Sequence, residues 1–488
     1  MSNFIDKKSN IAFLLILGFL FMNTPIFIRR VNLNQTEFLD SDIKKNNNAT
    51  FSLKIAASEF NPTHIHIDNN WPITAATYDW CYENNSVYYI ENCTIDCAIS
   101  PTGVGILIEN SNTNFVIQNC VIYNSNDDTN DTNSSIQLKN TDNGIIRNNT
   151  MFNNTNGIDL WGNCDNNIIS KNIISHNYRG IYFVDNCAEN QILENTLSVN
   201  TYGIRTYFYC QKNTICNNTA SNNFYGIILY HHSDSNKCSK NFISNNIQGI
   251  YLYYKCNDNF IQNNTAVNNF NGGIKIEYKC NNNTILGNNV SDSESGIYLL
   301  NDCNHNTAKN NIMQKNECGI FFEDNCKWNN ITSNHIIDNS IGIKLIDAVR
   351  ENNFWSNYII NNTRYGVNIQ QSPGACLDNL FYINVFNNPS GINAKDNGWE
   401  NQWNNSVIGN WWHDYYGEDA NNDGIGDTPY LLPSDYGAQD NYPIYTGRTD
   451  KNNDNRRKVG INEVWLTLII IGSIITILNV QYRRKLKK

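Results

Sequence analysis

The sequence predicts an all-β fold: a single-stranded parallel β-helix of about 23 residues per coil, with a C-terminal cap and a C-terminal transmembrane helix. Three observations predict the coil. Glycine followed by an aliphatic residue stands at 157, 180, 203, 226, 249, 273, 296, 319, 342 and 366, in steps of 23 with 24 at two places. Asparagines keep the same time in three columns: one from Asn167 to Asn329, a second from Asn172 to Asn334, and a third from Asn154 to Asn339 that lapses at Phe270 and Ser293. After each glycine the residues alternate, as in GIDLW, GIYFV, GIRTY and GIYLY, the pattern of a short strand with one face buried.

Each unit is too short to hold a helix beside these strands, so the coils stack and pair with the coils above and below, roughly 4.8 Å apart. In such a stack each position lies over its equivalent in the next coil. Asparagine then suits turns, because it tolerates left-handed backbone angles, and it suits side-chain ladders along the axis. Glycine supplies a tight entry into the first strand. Cys164, Cys187, Cys210, Cys256, Cys280, Cys303 and Cys326 form a further column, with Ser233 on the missing beat. Stacked side chains point the same way, whereas a disulfide needs converging ones, so the column reads as a buried thiol ladder. Cys81, Cys93 and Cys97 lie outside it and are placed to bridge near the N-terminal cap.

The elements follow in order. Residues 1–30 carry IAFLLILGFLFM behind Lys7 and Lys8, a signal peptide or signal anchor. Residues 31–84 form an N-terminal cap region, and 85–400 the β-helix, twelve to fourteen coils in all. Residues 401–446 break the beat and supply a cap with four tryptophans in or beside it (Trp399, Trp403, Trp411, Trp412). A linker (447–463) leads to the apolar stretch 464–480, at the short limit for a bilayer span, and a basic tail (481–488) suits a cytoplasmic flank. This predicts a chain held at the cell membrane with its bulk outside. A net charge of -10 excludes nucleic acid as the main partner.

The repeat resembles that of NosD-like and of carbohydrate-binding and sugar-hydrolase proteins, which are right-handed parallel β-helices. The resemblance covers roughly residues 85–400 and is strongest from 144 to 370, although such proteins commonly carry serine where this chain carries cysteine. It implies the fold and leaves the activity open, since lyases, hydrolases, epimerases and plain binders share it. The NosD name also implies copper handling, for which a thiol column is chemically suited. The C-terminal block resembles the ending of many NosD-like surface proteins.

On the glycine-led strand alternate residues face outward. They give an aromatic stripe of Trp161, Tyr182, Tyr207, Tyr230, Tyr251, Tyr253, Tyr298 and Phe321, which suits sugar rings and predicts binding of a polysaccharide or surface glycan. Strand preference alone also places aromatics here. Acids gather toward one end. Glu323 and Asp324 stand one coil from Asp347, with Glu277 and Asp302 near, and paired carboxylates at these spacings are the groups of glycoside cleavage; a solvated acidic face is the plainer alternative. Lys275, Lys344 and Arg350 are placed to hold an acidic sugar. His64 and His66 share one strand face, and His231–His232 extend the stripe. In the cap, DANNDGIGD offers oxygen ligands at Asp419, Asn421, Asp423, the Ile425 carbonyl and Asp427, with Gly424 for the sharp turn. That is a calcium-type loop through its ninth position, with Tyr430 where a bidentate glutamate would stand. A solvated Asp/Asn turn is again the alternative.

Overall fold

The computed structural model describes residues 59–125, 132–371 and 374–446. The expected signal segment and the expected membrane span at 464–480 lie outside these residues. Among the described residues no helix is long and apolar enough to cross a membrane.

Three sheets of fourteen strands each run the length of the solenoid. One coil supplies one strand to each, for example Arg179–Val184 to the first sheet, Gln191–Leu193 to the second and Thr196–Ser198 to the third. Pairing is parallel with a one-coil offset, so Ile158 lies over Ile181 and Ile181 over Ile204. One exception is a hairpin at the start, where Cys81–Asn84 pairs antiparallel with Val87–Glu91. The first sheet already begins at Ile65–Asp68, and the third ends at Trp411–Trp412. Inward isoleucines and leucines are fully buried in one continuous core, each contributing about 2–3 kcal/mol.

The asparagine columns are ladders of buried hydrogen bonds. Asn190 donates from both its backbone N–H (2.9 Å) and its Nδ2 (3.1 Å) to Oδ1 of Asn213, whose own Nδ2 reaches back to the Cys187 carbonyl at 3.0 Å. Each side chain thus satisfies turn groups that burial would otherwise leave bare. The left-handed angle expected of these asparagines falls instead on the residue before each one, as at Lys171, His176, Glu194 and Val199. Ladder bonding, not backbone tolerance, is what selects asparagine. The lapse expected at Phe270 is also absent: an inserted residue shifts the phase, Asn269 takes the place, and its N–H passes the ladder to Ser293 Oγ at 3.3 Å. The repeating glycines answer a close approach as well. A Cβ on Gly203 would lie 2.4 Å from the Gly226 carbonyl oxygen.

All three ladders end on an aspartate, one at the end of the last first-sheet strand and two in the cap. Asn401 Nδ2 donates to Asp396 (3.0 Å), Asn393 Nδ2 to Asp414 (2.7 Å) and the Asn410 N–H to Asp440 (2.7 Å). Trp403 and Trp412 stack on Phe381 and Phe386 at 4.4 and 4.3 Å and close the core, while Trp399 is exposed on the rim. At the other end Trp71, on the short helix Trp71–Thr77, stacks on Tyr88 and Phe115 and donates to Ser111 Oγ at 2.9 Å.

All fifteen cysteines are free thiols. The expected bridge among Cys81, Cys93 and Cys97 is not formed. These occupy separate interior positions, and Cys93 faces Cys120 of the next coil instead. The column from Cys164 to Cys326 is fully buried, with its thiols donating to main-chain carbonyls, as from Cys187 to Val184 at 3.3 Å.

Candidate functional site

The outer face of the first sheet carries three columns of side chains. Two were legible as the outward positions of the glycine-led strand. The third precedes the glycine and includes Arg179, Tyr202, Tyr225, Gln248, Ser295 and Cys318; it went unread because the alternation was counted only after the glycine. Tyr202–Tyr225 and Tyr225–Tyr251 stack at 5.1 and 5.9 Å, beside Tyr207–Tyr230 and Tyr230–Tyr253 at 4.9 and 5.2 Å.

That stacking corrects one expectation. Rings one coil apart cover each other's faces, so most of the stripe offers edges and hydroxyls rather than open platforms for a sugar ring. Tyr251 is only 3% exposed, and Tyr298 lies flat on Phe321 at 4.6 Å. Trp161, at the end of the stripe, is 38% exposed; its Nε1 donates to Asp185 (3.1 Å) and Lys139 sits over its ring. His231 and His232 extend the aromatic surface into the adjoining turn, packing on Tyr254 at 4.9 Å and Tyr209 at 5.1 Å.

The two halves of this face differ in charge. Toward the N-terminal side the Arg205 guanidinium lies 4.7 Å from the Tyr202 ring, 5.0 Å from Tyr207, 5.4 Å from Tyr230 and 5.5 Å from Tyr182. Arg179 lies over Tyr178 and Tyr182 and donates to Asn156 Oδ1 at 3.1 Å. Asp159, in the same column as Arg205, is buried and accepts from Gln137 Nε2 at 2.7 Å; burial pushes its carboxyl up to about 6.

Toward the C-terminal side acids are more numerous, and one cation is paired with one of them. Lys275 Nζ lies 2.8 Å from Glu277 Oε2, which also accepts from the Tyr251 hydroxyl at 2.5 Å. The Tyr298 hydroxyl donates to Glu323, and burial followed by this carboxylate raises the phenol above its ordinary range. Glu323 is therefore engaged by a tyrosine. Asp324 and Asp347 stand one over the other as expected, but in left-handed turn positions beside the sheet. Burial, then the charges of Asp347, Asp302 and Glu323, raise the Asp324 carboxyl. Arg350 donates to Asn325 Oδ1, beside Asp324, at 3.1 Å and forms no ion pair with the described aspartates.

Elsewhere the candidate ligands are mostly spent. His66 Nε2 lies 2.6 Å from Glu109. In the cap loop Asp419 accepts from the N–H groups of Asp423 (3.0 Å) and Gly424 (2.8 Å), Asn421 from Asp423 (2.9 Å), and Asp427 from Ala420 (2.7 Å). Among the described residues no three of His, Cys, Asp or Glu gather as metal ligands. Within the thiol column burial pushes Cys187, Cys280 and Cys326 well above the ordinary thiol range, whereas at Cys303 hydrogen bonds from Cys280 and Cys326 outweigh burial and lower the thiol.

No curated protein matches the chain in sequence. Among solved structures, the periplasmic alginate epimerase AlgG aligns at 13% identity and a TM-score of 0.44, covering 64% of this chain and 82% of its own. The A-module of a mannuronan C-5 epimerase from Azotobacter vinelandii aligns at 13% and 0.42, covering 70% and 99%. The catalytic domain of an α-1,3-glucanase, solved with tetrasaccharides, aligns at 14% and 0.40, covering 70% and 66%. Residues 203–373 match the family described as periplasmic copper-binding protein (NosD), and residues 63–220 match the right-handed β-helix region. Repeat and architecture agree: the described chain is a parallel β-helix of the right-handed type, part of which matches the NosD family.

Proposed function

We propose that the outer face of the first sheet is a glycan-binding surface, and that the protein acts outside the cell as a polysaccharide-binding scaffold attached to the membrane through residues 464–480. One observation carries the binding reading: tyrosine hydroxyls and cationic side chains line a single face coil after coil, in a chain that is acidic overall. Hydroxyls and edges recognise sugars by hydrogen bonding, and Trp161 offers the open ring. The test incubates the full-length protein with neutral and uronic polysaccharides, recording retention and products by mass spectrometry in the same samples. Retention without new oligosaccharides is the expected result. Protease treatment of intact cells checks the topology: the bulk of the chain should be removed, and full protection would refute it.

A catalytic second reading draws on the cluster of Tyr298, Glu323, Lys275 and Glu277, where hydroxyl, carboxylate and ammonium meet. The raised phenol keeps its proton, so Tyr298 meets a ligand as a hydrogen-bonding hydroxyl. Asp324 and Asp347 are the neighbouring acids available to it. New products lost in Tyr298→Phe and Asp324→Asn would establish this reading. In the cap loop each carboxylate oxygen keeps a second lone pair after its backbone bond, which fits a hard cation. Calcium held by Asp419, Asn421, Asp423, Ile425 and Asp427 would tie the cap together, and it should raise the melting temperature where magnesium does not.

A further inference from the structure

The cations of the first sheet's outer face do not share one environment. Lys275 is neutralised by Glu277 at 2.8 Å. Arg205 forms no ion pair with any described carboxylate, and its buried Nε has no hydrogen-bond partner among the described residues. Four tyrosine rings surround its guanidinium. The rings hold the cation by π attraction, and among the described residues no carboxylate, carbonyl or amide oxygen takes a hydrogen bond from it. The nearest acid of its own column among the described residues, Asp159, lies two coils away and is spent on Gln137 at 2.7 Å. A cation fixed in place, partly desolvated and short of an acceptor is an anion-binding group.

The sequence of the middle column extends this. Arg205, Lys275 and Lys344 stand three coils apart from one another, since Tyr182, Arg205, Ile228, Tyr251, Lys275, Tyr298, Phe321 and Lys344 occupy successive coils. Three coils are roughly 14 Å. Lys344 sits over the Phe321 ring at 4.5 Å, as Arg205 sits among its tyrosines. A ligand lying along the axis therefore meets a cation at a regular interval, with Arg205 the one least compensated.

We propose that Arg205, caged by Tyr182, Tyr202, Tyr207 and Tyr230, is an anion subsite that receives the carboxylate or sulfate group of an acidic polysaccharide lying along the first sheet. This rests on the glycan reading above and narrows its ligand to polyanionic sugars. The guanidinium edge offers two parallel N–H donors to the two oxygens of the anion, and the hydroxyls around it take up the neighbouring ring oxygens.

The test measures affinity of the full-length protein for two matched pairs, polygalacturonate against its carboxyl-reduced neutral form and dextran sulfate against dextran. The wild-type protein should hold at least one charged member tenfold or more above its neutral partner, and the pair showing the difference identifies carboxylate or sulfate. Arg205→Gln should abolish that difference and Arg205→Lys should keep part of it. Lys171→Gln, an exposed charge on another face, should leave it intact, and near-ultraviolet circular dichroism should report an unchanged tyrosine environment in Arg205→Lys. Equal binding within both pairs overturns the anion subsite and leaves the glycan reading standing. A charge preference that survives in Arg205→Gln also overturns it. Failure to bind any of the four polymers overturns the glycan reading itself.

Discussion

Asn213 and Tyr207 belong to the same coil and obey the same 23-residue register, yet their columns have opposite histories along the chain. The asparagine column runs on almost without substitution, because each member satisfies a buried N–H, a buried carbonyl and the next side chain. The outer column passes from tryptophan through tyrosines to glutamate within eight coils. Where backbone accounting is at stake the residue is dictated; where the side chain meets solvent or ligand the position is free to vary. Chemistry specific to this protein is therefore to be sought in the irregular columns.

The comparison breaks if an inner and an outer substitution cost the same. Asn218→Leu removes acceptors from the Asn195 N–H and Nδ2 and a donor from the Ile192 carbonyl, and should lower unfolding stability by about 3–5 kcal/mol in urea titration, at about 1–3 kcal/mol for each buried group left bare. Tyr207→Ala on the outer face should cost under about 1 kcal/mol in the same measurement. Asp159 sharpens the contrast, as an outer-column residue that is buried. Its carboxyl is raised to about 6 in the folded protein, so its favourable contribution is complete below the ordinary carboxylate value and is lost as pH rises through about 6. Asp159→Asn should leave the melting temperature unchanged near pH 4 and raise it near pH 7.5, a gain of about 2 kcal/mol. The double change Tyr207→Ala with Tyr230→Ala should weaken glycan retention about tenfold, roughly 1.4 kcal/mol, while the far-ultraviolet spectrum holds. The smallest effect belongs to Ser233→Cys, which completes the thiol column. It should shift stability by less than about 1 kcal/mol, because the Ser233 hydroxyl makes the same bond to a main-chain carbonyl, at 2.9 Å to Tyr230, that the thiols make.

The parts of the fold set by translation were legible in the sequence. A repeat of 23 placed glycine, asparagine and cysteine in register, and the inward isoleucines follow from alternation. What the repeat could not carry was how neighbouring rings use the space between them. Tyr251 reads as an outward residue and is buried because Tyr225 and Tyr253 flank it and Glu277 takes its hydroxyl. Arg205 stands at an outward position of the alternating strand, and only the structure shows that the surrounding tyrosines make it the centre of that half of the face. Column positions before the glycine, Tyr202 among them, were missed although their register is as regular as the rest. Asp414 and Asp440 lie in the cap, outside the repeat, and Asp396 ends the last strand of the first sheet, where the 23-residue period has already lapsed, so no period points to them.

Those three aspartates give the solenoid a direction. The main-chain N–H of each ladder asparagine donates to the side-chain oxygen of the following coil, whereas its Nδ2 also reaches back to a carbonyl of an earlier one, so it is the N–H series that runs one way, toward the terminal aspartates. A last coil would otherwise leave main-chain hydrogens in need of an acceptor beyond it; the aspartates supply acceptors and, as carboxylates, bring no side-chain hydrogen of their own, so the ladder stops there.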